Sequence, residues 1–117
     1  MSHRRSLSLL ACVAASALSF SAWAADPVTD AIQKAYAPYR AALFKTNAGQ
    51  VGESADALKQ AQAAWAQVAQ VVKSQPTVPY ANGALMAKTI AGVEGHYATA
   101  AQQVSAGKLS KAHETLE

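Results

Sequence analysis

The feature that most constrains the fold is an apolar repeat with alternating spacings of three and four residues, which recurs in three segments. In the first segment it consists of Val28, Ile32, Ala35, Tyr39, Ala42 and Thr46. The second repeat is Leu58, Ala61, Trp65, Val68 and Val72, and the third is Met86, Ile90, Val93, Tyr97, Ala100 and Val104. A stripe this narrow is typical of the seam of a helical bundle or coiled coil. The pattern predicts three amphipathic helices around one core.

The residues that flank these repeats indicate where the helices begin and end. Asp26 and Pro27 form a capping residue followed by a proline, Pro76 follows the second repeat, and Gly107 follows the third. Pro38 lies inside the first segment and predicts a bend or a division there. Together these signals predict an all-α, up-down-up-down four-helix bundle. Its predicted helices cover residues 27–46, 51–74, 84–106 and 108–117.

The predicted fourth helix is much shorter than the other three. It has about ten residues, whereas the others have roughly 20 to 24, or about 30 to 36 Å at 1.5 Å per residue. Its apolar residues Leu109, Ala112 and Leu116 cannot cover the whole seam. We therefore expect the fourth helix to be truncated in this chain, and the exposed seam to make the product marginally stable or self-associating. A three-helix protein with a helical tail is the alternative.

Residues 1–24 resemble a secretory signal peptide. Arg4 and Arg5 precede an apolar run from Leu7 to about Phe20, and Ala22 and Ala24 form an A-x-A cleavage site. This layout predicts a mature domain of residues 25–117 in the periplasm, with no membrane span after cleavage. Two alternatives remain open, a lipoprotein box ending at Cys12 and a twin-arginine signal at Arg4-Arg5.

Removal of the predicted signal peptide changes which classes of function the sequence allows. Arg4, Arg5 and Cys12 leave with it, so the formal net charge falls from +3 to +1 and the mature chain has no cysteine. The small remaining charge argues against nucleic acid as a partner. The missing cysteine excludes thiol catalysis, Fe–S clusters, cysteine-ligated zinc and C-x-x-C-H haem attachment. No serine lies in a nucleophile elbow and no inward pair of carboxylates is evident, so we expect no enzymatic activity.

Two histidines and a glutamate are the candidate metal ligands. His113 and Glu117 are four residues apart, which places them on one face of a helix. His96 is the candidate third ligand. Its predicted axial offset from His113 is about 7 to 8 Å, which is unfavourable for sharing one ion. The alternative is an exposed histidine beside an i,i+4 partner.

Two further stretches are candidate ligand sites. Tyr36, Tyr39 and Arg40 surround Pro38 and could frame an anionic or aromatic ligand, although the large aromatic side chains of this chain are more typical of core anchors. Gly92 and Gly95 lie in mid-helix, where each costs roughly 1 kcal/mol relative to alanine. Close approach of a neighbouring helix is the simpler explanation for these glycines, and room for a flat ligand is the alternative.

In size, export signal and helix layout, the mature region resembles the cytochrome b562 and cytochrome c′ group. This resemblance rests on architecture and implies a periplasmic bundle with haem between its helices. The haem motifs of the group do not carry over, because C-x-x-C-H is absent and the first helix has no methionine near its start. Met86 lies too far along the hairpin from His113 to pair with it and is expected to fill the core. Haem b bound through His96 or His113 remains open.

These observations lead to three functional hypotheses. The first is a non-catalytic periplasmic binding or accessory protein for a small ligand, a metal ion or a protein partner. The second is an electron-transfer protein with non-covalently bound haem. The third is a purely structural interaction module. The sequence requires no particular cofactor.

Overall fold

Four α-helices form the part of the chain that the computed structural model describes, residues 26–78 and 80–117. They are α1 (Pro27–Asn47), α2 (Val51–Ser74), α3 (Gly83–Ser105) and α4 (Leu109–Leu116). Each boundary lies within one residue of its predicted position. The predicted signal peptide lies outside the described residues.

Local signals explain where α1 and α3 begin and end. The Asp26 carboxylate accepts a hydrogen bond from the Thr29 backbone N–H at 3.0 Å, and Asn82 caps Leu85 in the same way at 3.1 Å. Each C-terminus is followed by a glycine at positive φ, 77° at Gly49 and 73° at Gly107. After α3, the N–H of Lys108 bonds to the Gln103 carbonyl at 2.8 Å, which completes a Schellman motif.

Pro38 does not divide α1, so that part of the prediction is wrong. The helix is continuous from Pro27 to Asn47. A proline in a helix removes one backbone donor, so the Lys34 carbonyl lacks its usual partner four residues on. Packing of α1 against α2 and α4 keeps the helix continuous around this single lost bond.

The four helices pack in a ring that confirms the all-α four-helix bundle. α1 packs against α2 and α4, and α3 packs against the same two helices, so α1 and α3 are diagonal to each other. Short turns connect α1 to α2 and α3 to α4, and both lie at one end of the bundle. The shared core comprises Ala42, Ala57, Leu58, Ala61, Tyr97, Ala100, Val104, Ala112 and Leu116.

The link between α2 and α3 is tied to the start of α1 at the other end of the bundle. Asp26 accepts a hydrogen bond from the Thr77 hydroxyl, and the Thr29 and Tyr80 hydroxyl oxygens lie 2.9 Å apart. The bond from Thr77, followed by those from Thr29, stabilises the carboxylate and lowers the pKa of Asp26 below its ordinary value. None of the described helices combines the length and apolar character needed to cross a membrane.

Candidate functional site

A cleft of about 640 Å³ opens between α1 and α3, with α2 at its base and the end of α4 at one side. Its lining residues are mostly apolar and aromatic. They are Ile32, Gln33, Ala35, Tyr36, Tyr39, Trp65, Val93, His96, Tyr97, Thr115, Leu116 and Glu117. A concave apolar site with a few polar groups is the usual form of a binding site. We refer to this set of residues as the aromatic cleft.

α1 supplies one wall of the aromatic cleft. Ile32, Tyr36 and Tyr39 are separated by four and three residues, so they lie on one side of the helix. The rings of Tyr36 and Tyr39 are 6.2 Å apart between centroids, with 38° between their planes. Tyr36 is 58% exposed, whereas the Tyr39 hydroxyl donates a hydrogen bond to the Leu116 carbonyl at 2.7 Å. Tyr39 is therefore held at the end of α4, and Tyr36 remains open to a ligand.

α2 and α3 supply the base and the opposite wall. The Trp65 indole N–H donates to the Ile90 carbonyl at 3.2 Å, which fixes the orientation of the ring. Val93, His96 and Tyr97 follow on the side of α3 that faces the cleft. Burial raises the pKa of the Tyr97 hydroxyl above its ordinary value, and the nearby Tyr39 adds to the shift. Tyr97 is therefore a neutral phenol at physiological pH.

The structure brings together part of the predicted Tyr36, Tyr39 and Arg40 site. Both tyrosines line the aromatic cleft, and the Arg40 guanidinium lies 5.8 Å from the centre of the Tyr36 ring. This distance is typical of a cation–π contact. Arg40 therefore lies at the rim and presents a positive charge beside an exposed aromatic face.

The prediction that the large aromatic side chains are core anchors is wrong for two of them. Tyr97 is only 5% exposed and belongs to the core, but Tyr36 is 58% exposed and Phe44 is 67% exposed. Trp65 is partly buried at the base of the aromatic cleft. The sequence does not identify Trp65 and Val93 as site residues, because their seam positions do not reveal how far α4 covers them.

The three predicted metal ligands are not gathered at one point. His113 Nε2 lies 3.4 Å from Glu117 Oε1, and His96 lines the aromatic cleft with Glu117 but without His113. Across residues 26–78 and 80–117, no group of three histidine, cysteine, aspartate or glutamate side chains is placed to hold a metal ion. Two ligands from one helix are fewer than a typical protein metal site requires.

His113 instead connects α4 to α1. Its Nδ1 lies 3.1 Å from both the Leu43 carbonyl oxygen and the Thr46 hydroxyl oxygen. A carbonyl oxygen only accepts, so Nδ1 carries a proton and donates to this pair. The Thr46 hydroxyl itself donates within α1, to the carbonyls of Ala42 and Leu43. His113 and Thr46 thus join the two helices through a largely buried polar contact.

The packing explanation for Gly92 and Gly95 is wrong. Both residues are exposed, and a Cβ atom built on either would have no neighbouring atom within 4 Å. No described element approaches α3 closely enough there to require glycine. Neither glycine is among the residues that line the aromatic cleft.

Comparisons with known proteins give no family for this chain. No family model, curated protein or solved structure shows a significant match. The resemblance to the cytochrome b562 and cytochrome c′ group therefore stays a prediction, and the functional argument rests on the aromatic cleft.

Proposed function

We propose that this protein is a non-catalytic binding or accessory protein, exported to the periplasm, which holds its ligand or partner in the aromatic cleft. The observation that carries the proposal is the cleft itself, about 640 Å³ of mostly apolar space lined by four aromatic side chains. An open, mostly apolar site of this kind provides binding area for a ligand or a partner.

The lining explains what kind of group the cleft would accept. Hydrogen bonds hold Trp65 to the Ile90 carbonyl and Tyr39 to the Leu116 carbonyl. Binding would therefore not have to restrict the motion of either ring. Tyr36 presents an exposed ring face, and Arg40 lies beside it. An apolar or aromatic body with an anionic group at the rim would satisfy both features.

Trp65 allows a direct test of this site. The chain has two tryptophans, Trp23 and Trp65, so Trp23→Phe in the full chain leaves a single tryptophan, at the base of the cleft. The probe is 1-anilinonaphthalene-8-sulfonate, a flat aromatic anion. We expect saturable energy transfer from Trp65 to this probe at one probe per chain.

A matched pair of variants separates the cleft from the rest of the surface. Tyr36→Ala removes an exposed aromatic ring from the cleft wall, and Phe44→Ala removes an exposed aromatic ring of α1 that does not line it. We expect Tyr36→Ala to weaken probe binding by about tenfold, or roughly 1.4 kcal/mol, while Phe44→Ala leaves it unchanged. Equal effects of the two substitutions would refute the cleft as the binding site.

The proposed export has its own test. Expression of the native gene in a Gram-negative host, followed by cell fractionation and N-terminal sequencing, should give a periplasmic product that begins at Ala25 or Asp26. A cytoplasmic product that retains Met1 or Ser2 would contradict the predicted signal peptide.

Haem b is the second candidate ligand, because His96 lines a cleft that is otherwise mostly apolar. His96 would supply one axial imidazole, but no methionine lines the cleft and the C-x-x-C-H motif is absent. The residues therefore fit a haem with one protein ligand from the described chain. Titration with haemin should give a Soret band that His96→Ala removes and His113→Ala preserves, and the absence of such a band would exclude this candidate.

A further inference from the structure

A second groove, of about 410 Å³, lies between α2 and α3. None of its lining residues belongs to the shared core, and none comes from α4, which packs against α1 and α3 instead. The lining is mostly small or apolar, with one lysine and one glutamate. We call these residues the alanine groove: Ala69, Val72, Gly83, Ala87, Ile90 and Ala91, with Lys73 and Glu94.

The two charged residues of the alanine groove are exposed and lie at opposite ends of it. Neither forms a salt bridge within the part of the chain that the structure describes. The Trp65 indole bonds to the Ile90 carbonyl, which sets these two residues at about the same level of two antiparallel helices. Lys73 lies eight residues beyond Trp65, about 12 Å along α2. Glu94 lies four residues from Ile90, about 6 Å in the opposite direction, so the two charges are about 18 Å apart along the groove.

This separation favours a second copy of the chain as the occupant of the groove. A small molecule or an unrelated protein would need opposite charges about 18 Å apart, whereas a second copy carries this pair at the required separation. If two copies meet with antiparallel helices, a two-fold axis sets Lys73 of each copy at the level of the partner's Glu94. If they meet with parallel helices, like charges face each other. The charges therefore favour the antiparallel arrangement.

The small residues of the alanine groove allow two copies to approach closely. Gly83, Ala87 and Ala91 are exposed and recur every four residues, so they lie on one side of α3. Helices with small side chains at their contact pack at short interaxial distances. The α2 and α3 helices of two copies would form a four-helix arrangement with Val72 and Ile90 toward its centre. Both residues are only half-buried in one copy, so association would remove further apolar surface from water.

We propose that the alanine groove is a self-association surface, through which two copies of this chain form an antiparallel two-fold dimer with reciprocal ion pairs between Lys73 and Glu94. This dimer is independent of the proposed function, because the alanine groove and the aromatic cleft share no lining residue. Each dimer carries two aromatic clefts, one on each copy.

The first experiment reverses each charge separately. The protein is purified from cells that express the full chain, and sedimentation equilibrium over a concentration series gives the dimer dissociation constant. Lys73→Glu or Glu94→Lys alone sets like charges against each other at both ends of the interface, so each variant should dimerise at least about tenfold more weakly. In an equimolar mixture every pair across the interface is complementary. The mixture should therefore form a heterodimer within about threefold of the unmodified affinity, identified by native mass spectrometry.

The second experiment locates the interface with a matched pair of alanine substitutions. Ala91→Arg places a long side chain in the alanine groove, and Ala41→Arg adds the same side chain at an exposed position of α1. Arginine is a good helix former, so circular dichroism should show both variants folded. We expect the first variant to weaken the dimer at least about tenfold and the second less than about twofold. Arg40→Glu, which changes the net charge of α1 as Lys73→Glu changes that of α2, should also have less than about a twofold effect.

Several outcomes would overturn the proposed dimer. A monomer at every concentration would do so, as would a mixture of the two charge variants that associates no better than either alone. Equal effects of Ala91→Arg and Ala41→Arg would place the interface elsewhere. A dimer that Tyr36→Ala abolishes would place it in the aromatic cleft, and a different protein that copurifies until Ala91→Arg releases it would assign the groove to that partner. Probe binding that depends on Tyr36 tests the proposed function separately.

Discussion

The two halves of this bundle share one sequence pattern but differ in how completely they are covered. In the closed half, near the turns that precede α2 and α4, the seam residues Ala42, Val104 and Ala112 are buried. In the open half, the same pattern continues through Ile32, Trp65 and Val93, which are only partly buried beside the cleft, whereas Val28 and Val68 nearer the end of the bundle are buried. The difference follows from α4, which lies over the closed half and ends at the edge of the aromatic cleft. A heptad-like repeat therefore predicts which side of a helix is apolar, but the neighbouring helix decides whether that side is core or binding surface.

The largest contrast between the halves should appear when a large seam residue is truncated. Leu58 is 1% exposed in the closed half, so Leu58→Ala should lower the free energy of unfolding by about 3 kcal/mol, within the roughly 2 to 5 kcal/mol usual for buried leucines. Ile32→Ala in the open half should cost about 1 kcal/mol, since its side chain already meets water. Urea unfolding of the full chain measures both values. Equal losses would mean that the open half is as tightly packed as the closed one.

The polar contact between α1 and α4 should give the next largest effect. Thr46→Val keeps the shape of a side chain that is 3% exposed but removes the hydroxyl that accepts from His113 Nδ1. We expect a loss of about 1 to 2 kcal/mol, because a largely buried donor then keeps only the Leu43 carbonyl as its acceptor. Thr89→Val, at an exposed position of α3, is the control and should change unfolding by less than about 0.5 kcal/mol. Unchanged stability of the Thr46→Val variant would show that the Thr46 hydroxyl does not help to hold α4 against α1.

Glycine replacement on α3 should stabilise the protein. Gly92→Ala and Gly95→Ala each add a Cβ atom in open space, so each should raise the free energy of unfolding by about 0.5 to 1 kcal/mol through helix propensity. Thermal unfolding followed by circular dichroism measures the change. Destabilisation by either substitution would restore the packing explanation that the structure contradicts.

The smallest predicted effect is an alkaline loss of stability at the boundary between the two halves. The pKa of Tyr97 is raised by burial, so above about pH 10 the unfolded chain loses this proton first and the free energy of unfolding falls as pH rises. Tyr97→Phe should make this part of the pH profile flatter without changing it near pH 7. A profile that is unchanged by the substitution would contradict the assigned cause.

Features that depend on neighbouring residues in the sequence could be predicted, and features that depend on packing between helices could not. The helix boundaries, the Asp26 cap and the Gly107 turn are local, and each follows from residues within one turn of the position concerned. The side of each helix that carries the seam was also predictable, and Leu58 and Val104 are buried as the repeat requires. Tyr36, Tyr39 and Arg40 were recognised as a cluster, although the role of Trp65 at the base was not.

The remaining features depend on distances between helices, which the spacing of one helix does not contain. Trp65 and Tyr97 both occupy seam positions, yet Trp65 is only partly buried and Tyr97 is 5% exposed, because α4 ends beside the cleft that Trp65 lines. His113 looked like half of a metal pair, but its Nδ1 is turned toward the Leu43 carbonyl 70 residues away. Gly92 and Gly95 looked like contact points, but nothing in the described chain packs there.

Amide hydrogen exchange across α3 tests the central claim most directly. In the full chain, amides of residues 97–104 should exchange at least about tenfold more slowly than those of residues 86–93, because only the first group lies under α4. Uniform protection along α3 would contradict the account.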